Sequence, residues 1–371
     1  MAPWILHRWS EWSTPLLGMG PTPQAVLLRG VGAFVIAFMV VFLAGRRGAA
    51  WLYRKKVRDR VRDFDAFYGK NKTGTPTMGG LFVVAAIVAA SLLMNDLGQR
   101  SVPLLILATL WFGAVGAVDD LLKVRDRAGG GLSRSLKMLL QVAFACFLAL
   151  ILSLDGTSPF PEAWRHVVFL PAPAIMPAQW NLGWVYPLFV VFVIVSIANA
   201  INFADGLDGL AVLPSAFVAA VFGFFAYMAW NSAMAKTFGF VPLPGIQEVA
   251  IYCSAVAGAC IGFLWFNGYP AQMIMGDTGS QALGGTLGVV AVLTKQEMLF
   301  LLAGAIFVYE AFSVFWQDSV GIRHLGRRFF FRAPAHHSFQ HQGVAETKVV
   351  LRFWIVSLLT AILSIATLKL R

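Results

Sequence analysis

The sequence predicts an all-α integral membrane protein with about ten transmembrane helices. Of its 371 residues, 58% are hydrophobic and only 13% are charged, and the mean hydropathy is +0.72. Soluble domains carry about 25% charged residues. This chain instead gathers its apolar residues into runs close to the roughly 20 residues that cross a hydrocarbon core of ~30 Å. Residues 1–371 are therefore expected to form one polytopic transmembrane domain.

Ten apolar segments follow one another, and each predicts a transmembrane helix. The first ends at Arg46 and Arg47 with no small-residue cleavage site, so it is predicted to be an anchor and not a signal peptide. The proline-rich segment 155–183 is expected to be an outer loop that holds either a short hairpin or interfacial turns. The ten segments are 25–45, 79–95, 103–118, 136–154, 184–201, 210–230, 249–266, 282–294, 297–317 and 349–368.

The positions of the basic residues predict the orientation of these helices. Loops 45–78, 119–137 and 318–348 carry twenty Lys and Arg residues, against seven in the opposite loops and the termini. Cytoplasmic loops of membrane proteins carry this excess. We therefore expect these three loops, together with 202–209 and 267–281, to be cytoplasmic and both termini to lie outside. The net charge of +11 then reflects membrane orientation and not binding to nucleic acid.

Five aspartates fall at the predicted cytoplasmic ends of the helices, namely Asp119, Asp120, Asp205, Asp208 and Asp277. Acids at a membrane edge are costly and mark candidate functional sites. Several that converge can hold Mg²⁺ through oxygen ligands. The adjacent Asp119 and Asp120 are expected to share a proton or a cation, because their charges repel each other. The pattern indicates chemistry on a phosphate-bearing substrate at a membrane surface.

Two motifs surround the later aspartates. In and before the run NFADGLDG, Asn199, Asn202, Asp205 and Asp208 recur every three residues, so they would share one face if the helix continued. The alternative is a turn between helices with capping aspartates. The second motif, Gly276-Asp277-Thr278-Gly279, places a carboxylate on a backbone that can bend sharply and is a candidate Mg²⁺ site.

Two further segments suit anions. The loop from Lys70 to Gly80 combines lysines, hydroxyl groups and glycine amides, which suit phosphate oxygens. His336, His337 and His341 follow a run of arginines, which favours binding of a diphosphate or a carboxylate. A zinc site on His337 and His341 would need further ligands that the sequence does not offer.

Five motifs, taken in order, resemble those of the polyprenyl-phosphate N-acetylhexosamine-1-phosphate transferase superfamily. They are KTGTPTMGG, VDDLLK, NFADGLDGL, PAQMIMGDTGS and APAHH, between about residues 70 and 341. The histidine-containing loop narrows the resemblance to the phospho-MurNAc-pentapeptide translocase (MraY) branch. The resemblance implies a ten-helix fold, usually a homodimer, in the bacterial cytoplasmic (inner) membrane. It also implies a Mg²⁺-dependent step of peptidoglycan synthesis, in which UDP-MurNAc-pentapeptide and undecaprenyl phosphate give lipid I and UMP.

The resemblance implies residue roles as well. Asp277 would be the main Mg²⁺ ligand, and Asp119 and Asp120 would act on the lipid phosphate, with Asp119 as base or nucleophile. Direct attack by the lipid phosphate and a covalent enzyme intermediate both stay open. The residues expected to line the substrate pocket are Lys70, Thr75, Lys123, Lys137, Asn202, Asp205, Asp208, Asn267, Gln317, Ala333, His336 and His337.

The chain departs from the family pattern at two positions. Ser338 stands in place of a third histidine, and Ile274 stands where an aromatic residue is common. Aromatic stacking adds only about 0.5–1.5 kcal/mol beyond the buried area, so apolar contact can replace part of it. Both changes are expected to act on nucleoside affinity, and neither touches the acids.

Two other functions compete with this hypothesis. A sister transferase would use UDP-GlcNAc as the donor. A cation-coupled transporter would place its carboxylates near the bilayer centre, often on broken helices within inverted repeats. The acids here lie at predicted helix ends on one side, and the sequence has no visible repeat. Both observations favour the transferase over the transporter.

Overall fold

The computed structural model describes residues 22–55, 57, 74–125, 130–170 and 179–370. Within these ranges the chain is almost entirely helical. The α-helices are α1 (Pro23–Arg54), α2 (Gly80–Met94), α3 (Ser101–Arg125), α4 (Arg134–Ser153), α5 (Tyr186–Ala204), α6 (Val212–Trp230), α7 (Ser232–Thr237), α8 (Gln247–Asn267), α9 (Gly276–Leu293), α10 (Phe300–Ala303), α11 (Ala305–Phe315), α12 (Ala335–His341) and α13 (Glu346–Ala366). Two strands, β1 (Val167–Phe169) and β2 (Gln179–Asn181), form an antiparallel pair. Short 3₁₀-helices at Glu162–Trp164, Gly183–Val185, Glu297–Leu299 and Thr367–Leu370 and a π-helix at Trp316–Ile322 complete the described elements.

All ten predicted segments are helical, which confirms an all-α polytopic membrane protein. Seven described helices are long and apolar enough to cross a membrane, or eight if the bent pair within 297–322 is one span. The predicted number of ten crossings is not confirmed, because α2 has only 15 residues and α9 does not meet the same measure of length and hydropathy. The segment predicted as one span at 297–317 is bent by 89° where Gly304 separates α10 from α11.

Local sequence explains where several helices begin. The Thr22 hydroxyl accepts a hydrogen bond from the Ala25 amide at 3.2 Å, and Pro23 opens α1. Ser133 caps α4 by accepting from the Leu136 amide at 3.2 Å. Such caps satisfy first-turn amides that have no partner within the helix, and proline at the first position has no amide hydrogen to lose.

Helix α9 is the buried centre of the bundle. Its residues 278–293 are all buried, and it packs against α2, α3 and α5. Two of its polar side chains are hydrogen-bonded to neighbouring helices inside the bundle. The Thr286 hydroxyl lies 2.7 Å from the Thr109 hydroxyl, and the Gln281 side-chain oxygen accepts from the Gln141 amide at 2.7 Å. A central helix fixed in this way holds its first turn, which carries Asp277, in a defined position.

At the end of the bundle opposite Asp277, neighbouring helices are connected by hydrogen bonds to Glu248, the second residue of α8. The Glu248 carboxylate accepts from Arg29 of α1 at 2.7 Å and from the Asp96 amide, just after α2, at 2.8 Å. These bonds join the starts of α1 and α8 to the end of α2. A buried carboxylate needs such partners to offset its desolvation.

A second polar cluster at that end fastens the hairpin. Lys295, which follows α9, donates to the Arg165 carbonyl at 2.9 Å and to the Tyr186 hydroxyl at 2.7 Å. Val168 of β1 pairs with Trp180 of β2. Of the two forms left open for 155–183, the described part therefore contains the paired strands of a hairpin, and residues 171–178 lie outside the described ranges.

Candidate active site

Two aspartates from different helices share two lysines where α3, α4 and α9 meet. The Lys123 ammonium lies 2.7 Å from Asp119 Oδ2 and 3.0 Å from Asp277 Oδ2. The Lys137 ammonium lies 2.5 Å from Asp277 Oδ2 and 3.4 Å from Asp119 Oδ2. Asp119 and Asp277 therefore converge, as their predicted placement at one membrane edge requires.

Asp277 is held as an ionised carboxylate. Asn202, on the last turn of α5, donates to Asp277 Oδ1 at 3.1 Å and to the Ser280 hydroxyl at 2.8 Å. Burial alone would raise the pKa of Asp277, but hydrogen bonding and the charges of Lys137 and Lys123 hold that pKa well below its usual range. At neutral pH the site thus presents an oriented negative charge beside two ammonium groups.

Asp120 faces the start of α9 and not its neighbour Asp119. Its Oδ1 accepts from the Asp277 amide at 3.0 Å, and its Oδ2 accepts from the amide and the hydroxyl of Thr278 at 2.9 and 2.6 Å. A carboxylate at this place caps the helix and is favoured by its dipole. The expectation that Asp119 and Asp120 share a proton or a cation is wrong, because consecutive helix positions do not face each other.

The position of Asp119 is fixed by the loop between α3 and α4 and by close packing of α3 on α9. The Leu132 amide donates to Asp119 Oδ1 at 2.6 Å. One turn before Asp119, a Cβ added at Gly116 would lie 2.1 Å from the Asp277 carbonyl oxygen. Only glycine permits this approach of α3 to the first turn of α9, and the approach brings the two aspartates within reach of the same lysines.

The four residues expected to share a helix face do not do so. Helix α5 ends at Ala204, and Asp205 occupies its C-cap. Asn199 and Asn202 lie on the helix, where the Asn199 amide donates to Gln141 at 2.8 Å. Asp205 and Asp208 lie in a turn, which was the alternative, because the two Asp-Gly pairs have low helix propensity.

Asp208 and Asn267 hold the loop that leads to Asp277. Asp208 Oδ2 accepts from the Ala271 amide at 3.0 Å. The Asn267 side chain accepts from the Gly209 amide at 2.9 Å and donates to the Met273 carbonyl at 3.0 Å. The turn after α5 and the loop 268–275 therefore form one connected wall beside Asp277.

The glycine-threonine loop pairs with the same wall. The Ile274 amide donates to the Pro76 carbonyl at 2.8 Å, and the Gly79 amide donates to the Ile274 carbonyl at 2.9 Å. Thr75 therefore lies next to the segment that precedes Asp277, and Ile274 is held there through its backbone. Lys70 lies outside the described residues.

The residues predicted for the far side of the pocket mostly shape their own loop. Gln317 accepts from the amides of Phe329 and Phe330 at 3.0 and 3.1 Å. Ala333 and Pro334 then lead into α12. Ser338, in place of a third histidine, accepts from the Arg332 amide at 3.0 Å and donates to the Arg332 carbonyl at 2.5 Å.

The two histidines of this loop are placed differently. His336 is fully buried against Glu310, with its Nδ1 3.2 Å from Glu310 Oε2. His337 is only partly buried, and its Nδ1 lies 2.9 Å from Gln340 Oε1. Within the described ranges no group of three or more His, Cys, Asp or Glu side chains is arranged to hold a metal ion. A zinc site on His337 and His341 therefore has no support.

The oxygen donors near Asp277 nevertheless suit Mg²⁺. This ion is usually held by one or two carboxylates together with substrate phosphates and waters, and not by an all-protein cage. Asp277, Asp119 and the Asn202 side-chain oxygen, which lies 3.4 Å from the Lys137 ammonium, provide such hard oxygens. The two lysine ammonium groups supply the positive charge at this position. The residues present therefore fit the ion.

Comparison with known proteins decides the family. The model described as glycosyl transferase family 4 matches residues 102–295, which include Asp119, Asp120 and Asp277. A protein of Desulfotalea psychrophila is 41% identical over 350 residues, which cover 93% of this chain and 94% of the relative. A protein of Syntrophus aciditrophicus is 39% identical over 351 residues with the same coverage. Both are named phospho-N-acetylmuramoyl-pentapeptide-transferase.

The chain belongs to the phospho-N-acetylmuramoyl-pentapeptide-transferase family. A protein of Nitratidesulfovibrio vulgaris with the same name is 41% identical over 347 residues, again 93% of this chain. Since these relatives match 93% of the chain, the family assignment extends well beyond residues 102–295.

Several side chains of the site were missed from the sequence. Thr278 and Ser280 lie within a motif that singled out only its aspartate, and Glu346 accepts from the Asp208 amide at 3.1 Å. Glu310 falls inside the predicted span 297–317. An acid in the middle of an apolar segment is itself a signal for function, so Glu310 was detectable by the rule that singled out the aspartates.

Proposed function

We propose that this protein transfers phospho-MurNAc-pentapeptide from UDP-MurNAc-pentapeptide to undecaprenyl phosphate, giving lipid I and UMP, in the bacterial cytoplasmic membrane. The observation that carries the proposal is the pairing of Asp119 and Asp277 through Lys123 and Lys137 at one end of a helical bundle. The names of relatives at about 40% identity favour the muramyl-peptide donor over UDP-GlcNAc. They also favour a transferase over a cation-coupled transporter.

In the proposed reaction one phosphorus–oxygen bond forms and one breaks. An oxygen of the lipid phosphate bonds to the phosphorus that carries MurNAc. The bond from that phosphorus to the bridging oxygen breaks, and the oxygen leaves with its electron pair as part of UMP. Phosphoryl transfer requires positioning and charge neutralisation more than covalent chemistry. Lys123 and Lys137 supply part of that neutralisation.

The arrangement of Asp119 supports direct attack by the lipid phosphate. One Asp119 oxygen accepts from the Leu132 amide and the other contacts both lysines. A carboxylate held on both oxygens is better suited to orient the lysines, and to accept a proton from the lipid phosphate, than to attack phosphorus. Asp120, in turn, positions Asp277 by capping α9.

Mg²⁺ is proposed as the cofactor, with Asp277 as its main ligand. Asp119 and the Asn202 side-chain oxygen lie beside Asp277 and would complete the protein donors. When bound, the ion neutralises the diphosphate and stabilises the departing UMP. The wall formed by Asp205, Asp208 and Asn267 is proposed to hold the nucleoside.

The remaining predicted residues complete the proposed pocket. Lys70 and Thr75 would contact phosphate oxygens, and Gln317, Ala333 and His337 would face the sugar and peptide. We further propose a homodimer with both termini outside the cytoplasm, which places the site at the cytoplasmic face where a soluble nucleotide meets a lipid phosphate.

Replacing Asp277 tests the proposal. In an assay of UMP release with Mg²⁺ and both substrates, Asp277→Ala is expected to lower kcat/KM by at least ~10², equivalent to about 2.7 kcal/mol of barrier. The matched control is Asp155→Ala, since Asp155 is exposed after α4 and pairs only with Arg165 in the described contacts. Near-normal turnover of Asp277→Ala would remove Asp277 from its metal role. Transfer from UDP-GlcNAc but not from the muramyl nucleotide would overturn the choice of donor.

A further inference from the structure

A buried acid–histidine pair lies outside the acids and lysines described above. Glu310, in α11, is fully buried, and both of its carboxylate oxygens contact His336 of α12. Its Oε1 accepts from the His336 amide at 3.1 Å, and its Oε2 lies 3.2 Å from His336 Nδ1. A buried carboxylate is tolerated only when it is paired and hydrogen-bonded. Here one carboxylate fixes both the backbone and the ring of one histidine.

The opposite edge of the His336 ring lies against the turn after α5. Its Nε2 is buried and has no hydrogen-bond partner among the residues that the structure describes. A Cβ added at Gly206 would lie 2.2 Å from this nitrogen and 2.8 Å from the ring carbon Cε1. The ring therefore fills the space that any side chain at position 206 would need. Gly206 itself lies between Asp205 and Asp208, in the wall proposed to hold the nucleoside.

The buried, unpartnered nitrogen indicates that this contact serves more than stability. An unsatisfied buried polar atom is costly and calls for an explanation, and an apolar ring of similar size would fill the space without that cost. An imidazole, however, can be hydrogen-bonded to a carboxylate through one ring nitrogen while the opposite side of the ring packs against a glycine. The pair thus links the position of α11 to the position of the turn that carries Asp205 and Asp208.

We propose that Glu310 is a positioning residue for binding of the nucleotide donor. It holds the His336 ring in place, and contact with the ring fixes the position of the turn at Gly206. The positions of Asp205 and Asp208 follow, because both lie in that turn. This inference rests on the proposed function, because it assumes that the donor binds against this turn. The turn holds the donor in the ground state and in the transition state alike. Loss of the pair should therefore raise KM and leave kcat less affected.

Three variants test the inference by steady-state UMP release with varied UDP-MurNAc-pentapeptide. Glu310→Ala is expected to raise KM for the nucleotide by about tenfold, equivalent to about 1.4 kcal/mol, with kcat changed by less than about threefold. Glu310→Asp keeps the charge and is expected to restore part of the affinity. In Gly206→Ala the added methyl group displaces the ring from the side opposite Glu310, so this variant should give the same rise in KM.

The double variant Glu310→Ala/Gly206→Ala distinguishes positioning from a general loss of packing. Both changes act through one ring, so the double variant should bind the donor about as well as either single variant. Independent sites would instead give additive effects. Ser313→Ala is the matched control and should leave KM unchanged, because among the described residues the Ser313 hydroxyl donates only to the Glu310 backbone carbonyl.

The outcomes separate this inference from the proposed function. A wild-type protein that releases no UMP refutes the proposed function. An active wild type with unchanged KM in Glu310→Ala and Gly206→Ala overturns the role of Glu310, as does additivity in the double variant. If Glu310→Ala does not fold, Glu310→Leu takes its place, because its side chain fills the space and offers no acceptor to the His336 amide. Wild-type KM in that variant would count equally against the proposal.

Discussion

At the scale of residues, Lys137 is the most connected cation of the site. Its ammonium contacts Asp277, Asp119 and the Asn202 side-chain oxygen, whereas Lys123 contacts only the two aspartates in the described structure. The Lys137 side chain is 15% exposed and that of Lys123 is 32% exposed. The more buried charge is less screened by solvent, so it should matter more to the reaction.

Lys137→Met is therefore expected to lower kcat/KM for UMP release by at least about tenfold, and by more than Lys123→Met. Hydrogen bonds to charged groups contribute about 1.5–3 kcal/mol each, and this contribution is lost when Lys137 is removed. Lys236→Met is a suitable control, since Lys236 is exposed in α7. Equal activity of wild type and Lys137→Met would contradict the charge-neutralising role.

Lys295 gives a pH-dependent prediction at the same scale. Burial lowers the pKa of Lys295 to about 7, although the Glu297 charge opposes this shift. Between pH 7 and the usual pKa of about 10.4, the unfolded chain binds more protons than the folded one. The free energy of unfolding should then rise with pH, by at most about 1.4 kcal/mol per pH unit. Below pH 7 both states are protonated, and this contribution becomes constant.

Thermal unfolding in detergent from pH 7 to 9 checks that sign. The wild-type Tm is expected to rise with pH relative to Lys295→Met, which lacks the titrating group. Lys236→Met should follow the wild-type curve. Parallel curves for wild type and Lys295→Met would show that Lys295 stays charged in the folded protein.

The sequence predicted which aspartates lie at the membrane edge, but not which groups each carboxylate contacts. Asp119 and Asp120 are neighbours in a motif, yet one contacts lysines and the other caps α9. That difference depends on the docking of α9 against α3, which is a long-range event. Glu310 belongs to none of the five motifs and stands alone within an apolar segment, so the motif pattern did not single it out.

At the scale of elements, the contact of α3 with α9 at Gly116 controls the geometry of the site. Gly116→Ala would place its Cβ 2.1 Å from the Asp277 carbonyl oxygen, so the helices would have to separate. Gly113→Ala, one turn earlier, meets only a Val84 methyl at 3.1 Å and an Ala282 Cβ at 3.6 Å. Alanine gains about 1 kcal/mol of helix propensity over glycine at both positions, so the pair is matched.

Gly116→Ala is accordingly expected to lower UMP release by more than about tenfold, while Gly113→Ala keeps most of the activity. Both proteins should be purified and compared by thermal unfolding, so that lost activity is separated from lost protein. A Gly116→Ala variant as active as Gly113→Ala would show that the close approach is not needed for the site.

Hydrophobic segments predicted every long helix, because burial in lipid or in the bundle requires apolar residues in both cases. For the same reason they could not tell a lipid-facing span from the buried α9. The bend at Gly304 escaped prediction, and the choice between a continuing helix and a turn after α5 was left open. Both depend on how neighbouring elements take up the backbone after a glycine or an Asp-Gly pair.

At the scale of the whole molecule, the orientation in the membrane can be tested by cysteine labelling. Asp155 lies after α4 and Arg328 lies after the π-helix, and both are exposed. After Cys146→Ser, a membrane-impermeant maleimide added to intact cells with a permeable outer envelope should label Asp155→Cys and not Arg328→Cys. The reverse pattern would contradict the orientation predicted from the basic loops.

Charge cancellation at the paired lysines has a consequence for how ligands load. As carboxylates, Asp119 and Asp277 balance the ammonium charges of Lys123 and Lys137, so these four side chains together carry no net charge. A divalent cation alone would leave an excess of positive charge, and a diphosphate diester alone an excess of negative charge. When both are bound, their charges cancel. On the proposed roles, each ligand is therefore expected to bind weakly by itself and to raise the affinity of the site for the other.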